Sequence, residues 1–374
     1  MRAITNIYRL GVKELWSLLR DPAMLVLILY IFTAAIYVAA SAVPESINMA
    51  SIAIVDEDDS PLAKRIASAF YPPKFLRPQM VSLYEVDTGM DRDKFTFALD
   101  IPPNFQRDVL AGRNPEIQLN VDATRMSQAF VGSGYIQQMA MDEIALFVER
   151  YRGATALPVE LAVRMRFNPN LTRSWFGSVV ELINNITMLS IILTGAALIR
   201  EREHGTIEHL LVMPVTPLEI MGSKVWSMGL VVLLAAALSL AVVVQGVLDV
   251  PIAGSVALFL CGAAIHLFAT TSMGIFLATL ARNMPQFGML LILVLLPMQL
   301  LSGGATPRES MPDIVQHIML LAPTTHFIEL GQGVLYRGAG IDVVWKSLLA
   351  LVAIGGTFFL ISLSRFRKTL SLMG

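Results

Sequence analysis

Six long apolar runs dominate the pattern of hydrophobic and polar positions along the chain. They cover residues 23–43, 181–198, 225–247, 255–280, 287–301 and 344–363. A helix needs about 20 mostly apolar residues to cross the hydrocarbon core of a bilayer, and these runs carry few or no charges. The pattern therefore predicts an α-helical polytopic membrane protein with six transmembrane helices, at residues 22–43, 174–199, 224–301 (the third to fifth) and 343–364.

The first residues form a separate amphipathic element. Ile4, Tyr8 and Val12 recur with helical spacing while basic side chains lie on other faces, which predicts an interfacial helix at residues 1–21. Asp21 can cap the first span and Pro22 suits its first turn. A cleavable signal peptide is the alternative, since small residues end the apolar run, but the run is too long for one.

Residues 44–173 change character and predict an inserted α+β domain. Alternating or buried apolar runs predict strands, and longer amphipathic stretches predict helices. The predicted strands are residues 51–55, 95–99, 117–121 and 161–167, and the predicted helices are residues 62–70 and 127–152. Residues 168–170 are predicted to form a turn before the second span. The domain is therefore expected on a single side of the membrane.

A Gly- and Pro-rich segment, residues 302–342, separates the fifth and sixth spans. Its apolar patches at 314–321 and 327–335 are too short to cross the bilayer. We expect them to be re-entrant or interfacial, with breaks at Pro307 and Pro323, because irregular backbone survives at membrane depth only where protein or water satisfies it. An ordinary extracellular loop is the alternative.

Basic residues outside the inserted domain fall mainly on one side of this arrangement. The positive-inside rule therefore predicts that both termini, including the tail at 365–374, are cytoplasmic and that the inserted domain is periplasmic. The predicted location is the bacterial inner membrane. The basic residues on the cytoplasmic side are Arg2, Arg9, Lys13, Arg20, Arg200, Arg202, Lys224, Arg282, Arg365, Arg367 and Lys368.

Composition agrees with a membrane protein and excludes several other classes. The chain is 55% hydrophobic and 15% charged, with a mean hydropathy of +0.62. Its net charge of −1 argues against nucleic acid as a partner, because phosphate binding needs a basic surface. The single cysteine, Cys261, lies in a predicted span and cannot form an internal disulfide.

Enzyme and metal chemistry find little support. His204 and His209 are five residues apart rather than four, so they do not share a helical face, and no H-E-x-x-H or G-x-S-x-G motif occurs. We predict no catalytic residue and no metal site. The run from Leu301 to Ala305 resembles the LSGGQ signature of ABC ATPases, but it ends a predicted span, so we interpret it as coincidence.

A charged, Pro-bounded segment lies between the second and third apolar runs. Its sequence E-x-E-x-G-T-x-E-x-L-L-x-x-P combines a charge cluster with apolar residues at helical spacing, and Pro214 and Pro217 are expected to end the helix. We predict that residues 200–223 form a short helix parallel to the membrane surface.

This segment resembles the coupling segment of type-2 ABC transporter permeases. The six spans and the large domain between the first two are similar to the drug-export branch of that family. The resemblance implies that the segment fits a cleft on a separate ATPase subunit. The residues it assigns to ATPase coupling are Arg200, Glu201, Arg202, Glu203, Gly205, Thr206, Glu208, Leu211, Pro214 and Pro217.

The same resemblance implies a set of partners. They are an ABC ATPase, a second permease half in a homodimer or heterodimer, a periplasmic membrane-fusion adaptor and an outer-membrane channel, all around a lipid-embedded pathway. The chain lacks G-x-x-x-x-G-K-[ST], so it is expected to hold no cofactor, with ATP and Mg²⁺ on the partner ATPase. The implied activity is outward transport of an amphiphilic or drug-like substrate.

Burying a polar residue within a span costs free energy, so residues of this kind are candidates for a functional role such as substrate contact. Asn184, Asn185, Gln299 and Ser302 rank first because the family's pathway runs between the second and fifth spans. Asn and Gln also hydrogen-bond neighbouring helices for purely structural reasons. His266, Gln245 and Glu181 are further polar residues of this kind.

A membrane receptor is the alternative from a different class. Residues 44–173 would then sense a ligand and the cytoplasmic loop would signal without moving cargo. A receptor usually adds a cytoplasmic output domain, whereas few residues follow the last predicted span. The permease prediction is therefore preferred.

Overall fold

The computed structural model describes residues 2–41, 49–92, 94–122, 126–152, 173–203, 215–304, 306 and 308–371 of the 374-residue chain. The chain divides into two compact units, one formed by residues 1–42 with 165–374 and the other by residues 43–164. The predicted strand at 161–167 and the turn at 168–170 lie outside the described residues.

In chain order, the helices and strands are α1 (Arg2–Leu19), α2 (Pro22–Ser41, with a π-helical turn at Ile31–Ala35), β1 (Ile52–Asp56), α3 (Pro61–Ala69), β2 (Gln79–Met80), α4 (Leu83–Asp91), β3 (Phe97–Ile101), α5 (Phe105–Leu110), β4 (Gln118–Val121), α6 (Met126–Arg152), α7 (Arg173–Glu203), α8 (Pro217–Val247, π-helical from Leu240), α9 (Val256–Leu280), α10 (Met284–Leu301), α11 (Asp313–Met319), α12 (Pro323–Arg337) and α13 (Ile341–Ser371).

Six of these helices are long and apolar enough to cross a membrane: α2, α7, α8, α9, α10 and α13. They are called the first to sixth spans below. This confirms the prediction of a helical membrane protein with six spans.

Side-chain caps explain where four of the spans begin. Asp21, Thr216, Ser255 and Asn283 precede α2, α8, α9 and α10, and each accepts a hydrogen bond from the backbone N–H three residues further on. Such caps satisfy donors that the first helical turn cannot pair internally. At α8 the cap is reciprocal, since the Glu219 carboxylate accepts from the Thr216 N–H.

The limits of the second and third spans differ from the sequence prediction. The second span was expected to end at residue 199, but α7 continues as helix through Glu203. The third span was expected from residue 224, but α8 begins at Pro217. Pro217 therefore opens a helix rather than ending one, because proline lacks only an N–H that the first turn leaves unpaired.

The second span lies at the centre of the helical unit. Within its most apolar window 83% of the residues are buried, against 28% in the first span and 17% in the fifth. The outer spans thus present most of their apolar surface outward, which suits contact with lipid.

The segment between the fifth and sixth spans forms two short helices, α11 and α12. Pro323 opens α12, in which 11 of the 15 residues are buried. Phe327 packs on Phe259 of the fourth span, and Tyr336 donates a hydrogen bond to the Trp175 carbonyl of the second span (2.6 Å). α12 is therefore a core element of this unit, although it is too short to be a span.

The second unit is built on a four-stranded sheet of order β2–β1–β3–β4. β1 is parallel to both of its neighbours, and β3 pairs with β4 in antiparallel fashion. Alternate residues of β1 and β3 enter two apolar clusters, one shared with α3 and α6 and the other with α4. Both faces of the sheet are covered, as parallel strands require.

The sequence predicted three of these four strands within two residues. β2, α4 and α5 were not predicted. β2 has only two residues, both exposed, so it carries no hydrophobic alternation.

The close approach of the second and fourth spans generates a prediction. A Cβ added at Gly274 would lie 2.7 Å from the Ile191 carbonyl oxygen, so Gly274→Ala should push α9 away from α7. Overpacking of this kind costs about 1–3 kcal/mol. We expect a lower midpoint of thermal unfolding for the purified chain in detergent.

Two matched controls separate packing from helix propensity. Gly288→Ala and Gly356→Ala also replace glycine within spans, but an added Cβ at either site meets nothing within 4 Å. In all three variants, alanine has the same advantage over glycine in helix propensity. If Gly274→Ala unfolds at the same temperature as the two controls, the close approach does not limit stability.

Candidate coupling site

Helix α1 packs against the first turns of the third span. The Trp226 indole stacks on Tyr8, with ring centroids 6.0 Å apart, and its Nε1 donates to the Ile7 carbonyl (3.1 Å). Gly11 leaves room for this ring, since a Cβ there would lie 2.2 Å from an indole carbon. Asn6 adds a hydrogen bond to Glu219 (3.3 Å). The amphipathic helix is therefore joined to the bundle.

A buried ion cluster joins α1 to the second and third spans. Lys224 of α8 is 1% exposed, and its Nζ lies 3.1 Å from Glu14 Oε1 of α1 and 2.9 Å from Glu201 Oε2 of α7. Lys13 lies 3.5 Å from the other oxygen of Glu201. Burial raises the pKa of Glu14, and the Lys224 ammonium opposes that shift. One cation therefore connects three helices.

The last turn of the second span makes further contacts inside the bundle. Arg200 pairs with Asp21 at the start of the first span (3.1 Å). Arg202 donates to the Ala281 carbonyl (2.6 Å), and Glu203 accepts from the Met284 N–H (2.9 Å). These contacts connect the end of α7 to the first span and to the junction of α9 and α10.

The structure places the charge cluster differently from the sequence prediction. Residues 200–203 were expected to open a separate coupling helix, but they form the last turn of a span and their side chains contact neighbouring helices. A helix continues here because its charged groups find partners on adjacent elements. The remaining predicted coupling residues, Gly205, Thr206, Glu208, Leu211 and Pro214, lie outside the described residues.

Glu14, Lys224 and Trp226 were not predicted as site residues. Their signal in the sequence is weak but present. Lys224 directly precedes an uncharged apolar run. Glu14 is acidic, whereas the other charged residues of its helix are basic. Opposite charges at two membrane-facing helices are candidates for a pair, but the sequence cannot show which helices meet.

The predicted substrate-pathway residues have different surroundings. Asn185 Nδ2 donates to the Ile31 carbonyl in the π-helical turn of the first span (3.0 Å). Asn184 is also buried, and its Oδ1 has no hydrogen-bond partner within the described ranges. Ser302 donates to the Gln299 carbonyl (3.4 Å). No described hydrogen bond joins this last pair to either asparagine.

A polar seam connects the second and fourth spans. Thr187 Oγ1 lies 2.8 Å from His266 Nε2, and Ser190 donates to Thr270 Oγ1 (2.6 Å). Because the Thr187 hydroxyl donates its proton to the Ile183 carbonyl, it accepts from His266, which places the ring proton on Nε2. His266 thus has a structural role, as hydrogen bonds between spans commonly do.

Among the residues that the structure describes, no group of three or more His, Cys, Asp or Glu side chains could hold a metal ion.

The buried cluster generates a stability prediction. Lys224→Met removes the cation while Glu14 and Glu201 remain buried. Loss of one partner from a buried pair costs about 3–5 kcal/mol. Glu14→Gln leaves Lys224 paired with Glu201 and should cost less. The measurement is thermal unfolding of both purified variants in detergent.

The pH dependence provides the control. The pKa of Glu14 is raised in the folded state, so Glu14 contributes favourably to the free energy of unfolding when the pH is below 4.5, its ordinary pKa. This contribution is lost as the pH rises through the pKa of the folded state. Without Lys224 the pKa should rise further. Lys224→Met should therefore recover stability on mild acidification. A pH-independent loss, or one no larger than that of Glu14→Gln, would contradict this assignment.

The two asparagines should respond differently to substitution. Asn185→Leu removes the hydrogen bond from this amide to the Ile31 carbonyl, a net loss of about 0.5–1.5 kcal/mol. Asn184→Leu removes an amide whose carbonyl oxygen makes no described hydrogen bond. We expect Asn185→Leu to lower the unfolding midpoint more than Asn184→Leu. The reverse order would show that Asn184 is the structural residue.

Comparison with known proteins gives the family. Residues 23–364 match the family described as ABC-2 family transporter protein. The inner membrane transport permease YhhJ of Escherichia coli (strain K12) is 62% identical over 373 residues, 100% of both chains. The probable multidrug ABC transporter permease YbhR of the same organism is 31% identical over 364 residues, covering 95% of this chain and 96% of that protein. The chain therefore belongs to the ABC-2 family of membrane transport permeases.

Proposed function

We propose that this permease is the membrane subunit of an ATP-driven exporter, in which a separate ABC ATPase acts on residues 204–214. The observation that carries the proposal is the arrangement of the helix ends that flank this segment. The end of α7 and the start of α8 are joined to each other and to α1 through the Lys224 cluster.

The arrangement suits transmission of movement. On one side of the segment, Glu203 and Arg202 contact the junction of α9 and α10. On the other, Thr216 and Glu219 cap α8, and Glu219 also contacts α1. Because buried ion pairs are costly to break, a displacement of residues 204–214 would move α1, α7 and α8 together.

The predicted coupling residues are proposed to have two roles. Arg200, Arg202 and Glu203 connect helices within the permease, so they are proposed to transmit movement. Glu208 and Leu211 remain the proposed ATPase contacts on the basis of the sequence resemblance. ATP and Mg²⁺ would be held by the partner, since this chain has no phosphate-binding loop of the Walker type.

The charge distribution and the relatives support the proposed orientation and the proposed export activity. The excess of basic residues near α1 and the end of α7 supports a cytoplasmic location for that end and for both termini. The α+β domain would then be periplasmic, where it could bind a membrane-fusion adaptor linked to an outer-membrane channel. A relative named as a multidrug permease supports an amphiphilic or drug-like substrate. A second permease half would complete the pathway.

A cleft in the α+β domain supports the alternative of ligand sensing. It measures about 890 Å³ and lies between α5, β4 and α6, with Phe105, Ile117 and Ile136 among its apolar walls. This volume is typical of small-molecule sites. A receptor without transport would bind its ligand there and would need no ATPase.

Affinity purification of the full chain tests the proposal. We expect an ATPase to co-purify in mild detergent and to hydrolyse ATP in the eluate. Glu208→Ala should reduce ATPase recovery without changing thermal stability, because we propose that it contacts the partner. Glu203→Ala should lower the unfolding midpoint, because it removes the contact with Met284.

Glu149→Ala is the matched control, since Glu149 is an exposed carboxylate of the α+β domain. It should leave both ATPase recovery and stability unchanged. Recovery of the chain without any nucleotide-hydrolysing partner would contradict the exporter assignment and favour the receptor.

A further inference from the structure

The first turn of α12 lies near the middle of the membrane-spanning bundle. At the end of α12, Tyr336 contacts the Trp175 carbonyl near the start of the second span. Earlier in the helix, Gly331 faces Ile183, and Phe327 stacks on His266, which is bonded to Thr187. α12 therefore runs antiparallel to α7, and its first turn lies level with the middle of this 30-residue span.

This first turn has no side-chain cap. The residue before it is Ala322, and Pro323 at the first position has no N–H to donate. The backbone N–H groups of Thr324 and Thr325 belong to the first helical turn. No carbonyl of the same helix is positioned to accept a hydrogen bond from them. Four of the spans, in contrast, begin with an Asp, Thr, Ser or Asn cap.

The two threonine hydroxyls add a second, independent observation. Thr324 is 0% exposed and Thr325 is 1% exposed. Neither Oγ1 has a hydrogen-bond partner in the part of the chain that the structure describes. A buried hydroxyl without a partner is destabilising, and membrane surroundings provide no water to compensate. Together with two N–H groups that α12 itself cannot pair, these hydroxyls form a concentrated set of donors.

We infer that the first turn of α12, with Thr324 and Thr325, is a membrane-embedded binding site for a hydrogen-bond acceptor group of an amphiphile. A carboxylate is the preferred chemical class. The positive end of the helix dipole favours an anion and disfavours an ammonium group. The apolar tail would lie among the surrounding spans.

The binding site itself does not depend on the proposed function. Only the statement that the bound amphiphile is a transported substrate rests on that proposal. The site also changes the expected location of substrate contacts. The sequence pointed to the second and fifth spans, whereas this site is formed by α12 beside the second and fourth spans. Discontinuous helices that point their first turn at an anionic substrate group are a recurrent solution in transporters.

Binding to the purified full chain in dodecyl maltoside tests the site without an ATPase. The probes are octanoate and octylammonium, which share an apolar tail and differ in charge. Octanoate should raise the midpoint of thermal unfolding of the unmodified chain, and octylammonium should not. The double variant Thr324→Val, Thr325→Val should need about tenfold more octanoate for the same shift, because the lost hydrogen bonds are to a charged group.

Thr357→Val is the matched control. Thr357 lies in the sixth span, and its hydroxyl donates to the Ala353 carbonyl of its own helix. This variant should respond to octanoate like the unmodified chain. Valine keeps the shape of threonine, so the double variant should be at least as stable as the unmodified chain without probe. Lower stability would show that the hydroxyls are bonded within the protein.

An unchanged octanoate response in the double variant, or an equal response to octylammonium, would overturn the site. If the double variant does not fold, the single variants decide. Thr324→Val and Thr325→Val should each weaken the response to octanoate, while Thr324→Ser and Thr325→Ser should keep it. Because no ATPase takes part, failure of the exporter proposal leaves these results unaffected.

Discussion

The ammonium group of Lys224 is enclosed by two carboxylates from two other helices, and the order of one end of the bundle depends on it. Glu14 belongs to the amphipathic helix and Glu201 to the most buried span. Removing charged groups from water costs free energy. The attraction between the ammonium group and the two carboxylates offsets this cost only while all three helices keep their positions. Tyr8, Gly11 and Trp226 hold α1 close enough for this geometry.

The same constraint explains the surrounding contacts. Once α1, α7 and α8 are joined, the end of α7 is brought beside the start of the first span and the junction of α9 and α10. Arg200, Arg202 and Glu203 then find partners there. Charged residues that look like a free surface in the sequence thus become internal connections. Residues 204–214 lie between two helix ends whose positions are linked.

Polar groups deeper in the bundle fall into two kinds. The Thr187 hydroxyl, His266 Nε2 and the Asn185 amide nitrogen form hydrogen bonds between helices, so the cost of burying these atoms is offset. Thr324 and Thr325 are buried without described partners at an uncapped helix start. The hydrogen bonds between spans are explained by packing, whereas for the two unpaired hydroxyls at the start of α12 we infer a ligand.

The sequence by itself determined the membrane class, the six spans and most of the sheet, because length, apolar content and periodicity are local properties. The cap residues Asp21 and Thr216 are local too, although Pro217 was assigned to the wrong helix end. β2 could not be predicted from the hydrophobic pattern of the sequence, because its two residues are both exposed. Only the tertiary structure decided that Lys224 meets Glu14 and Glu201, and that α12 is buried beside His266. Such pairings join residues far apart in the chain, and no local pattern specifies which helices become neighbours.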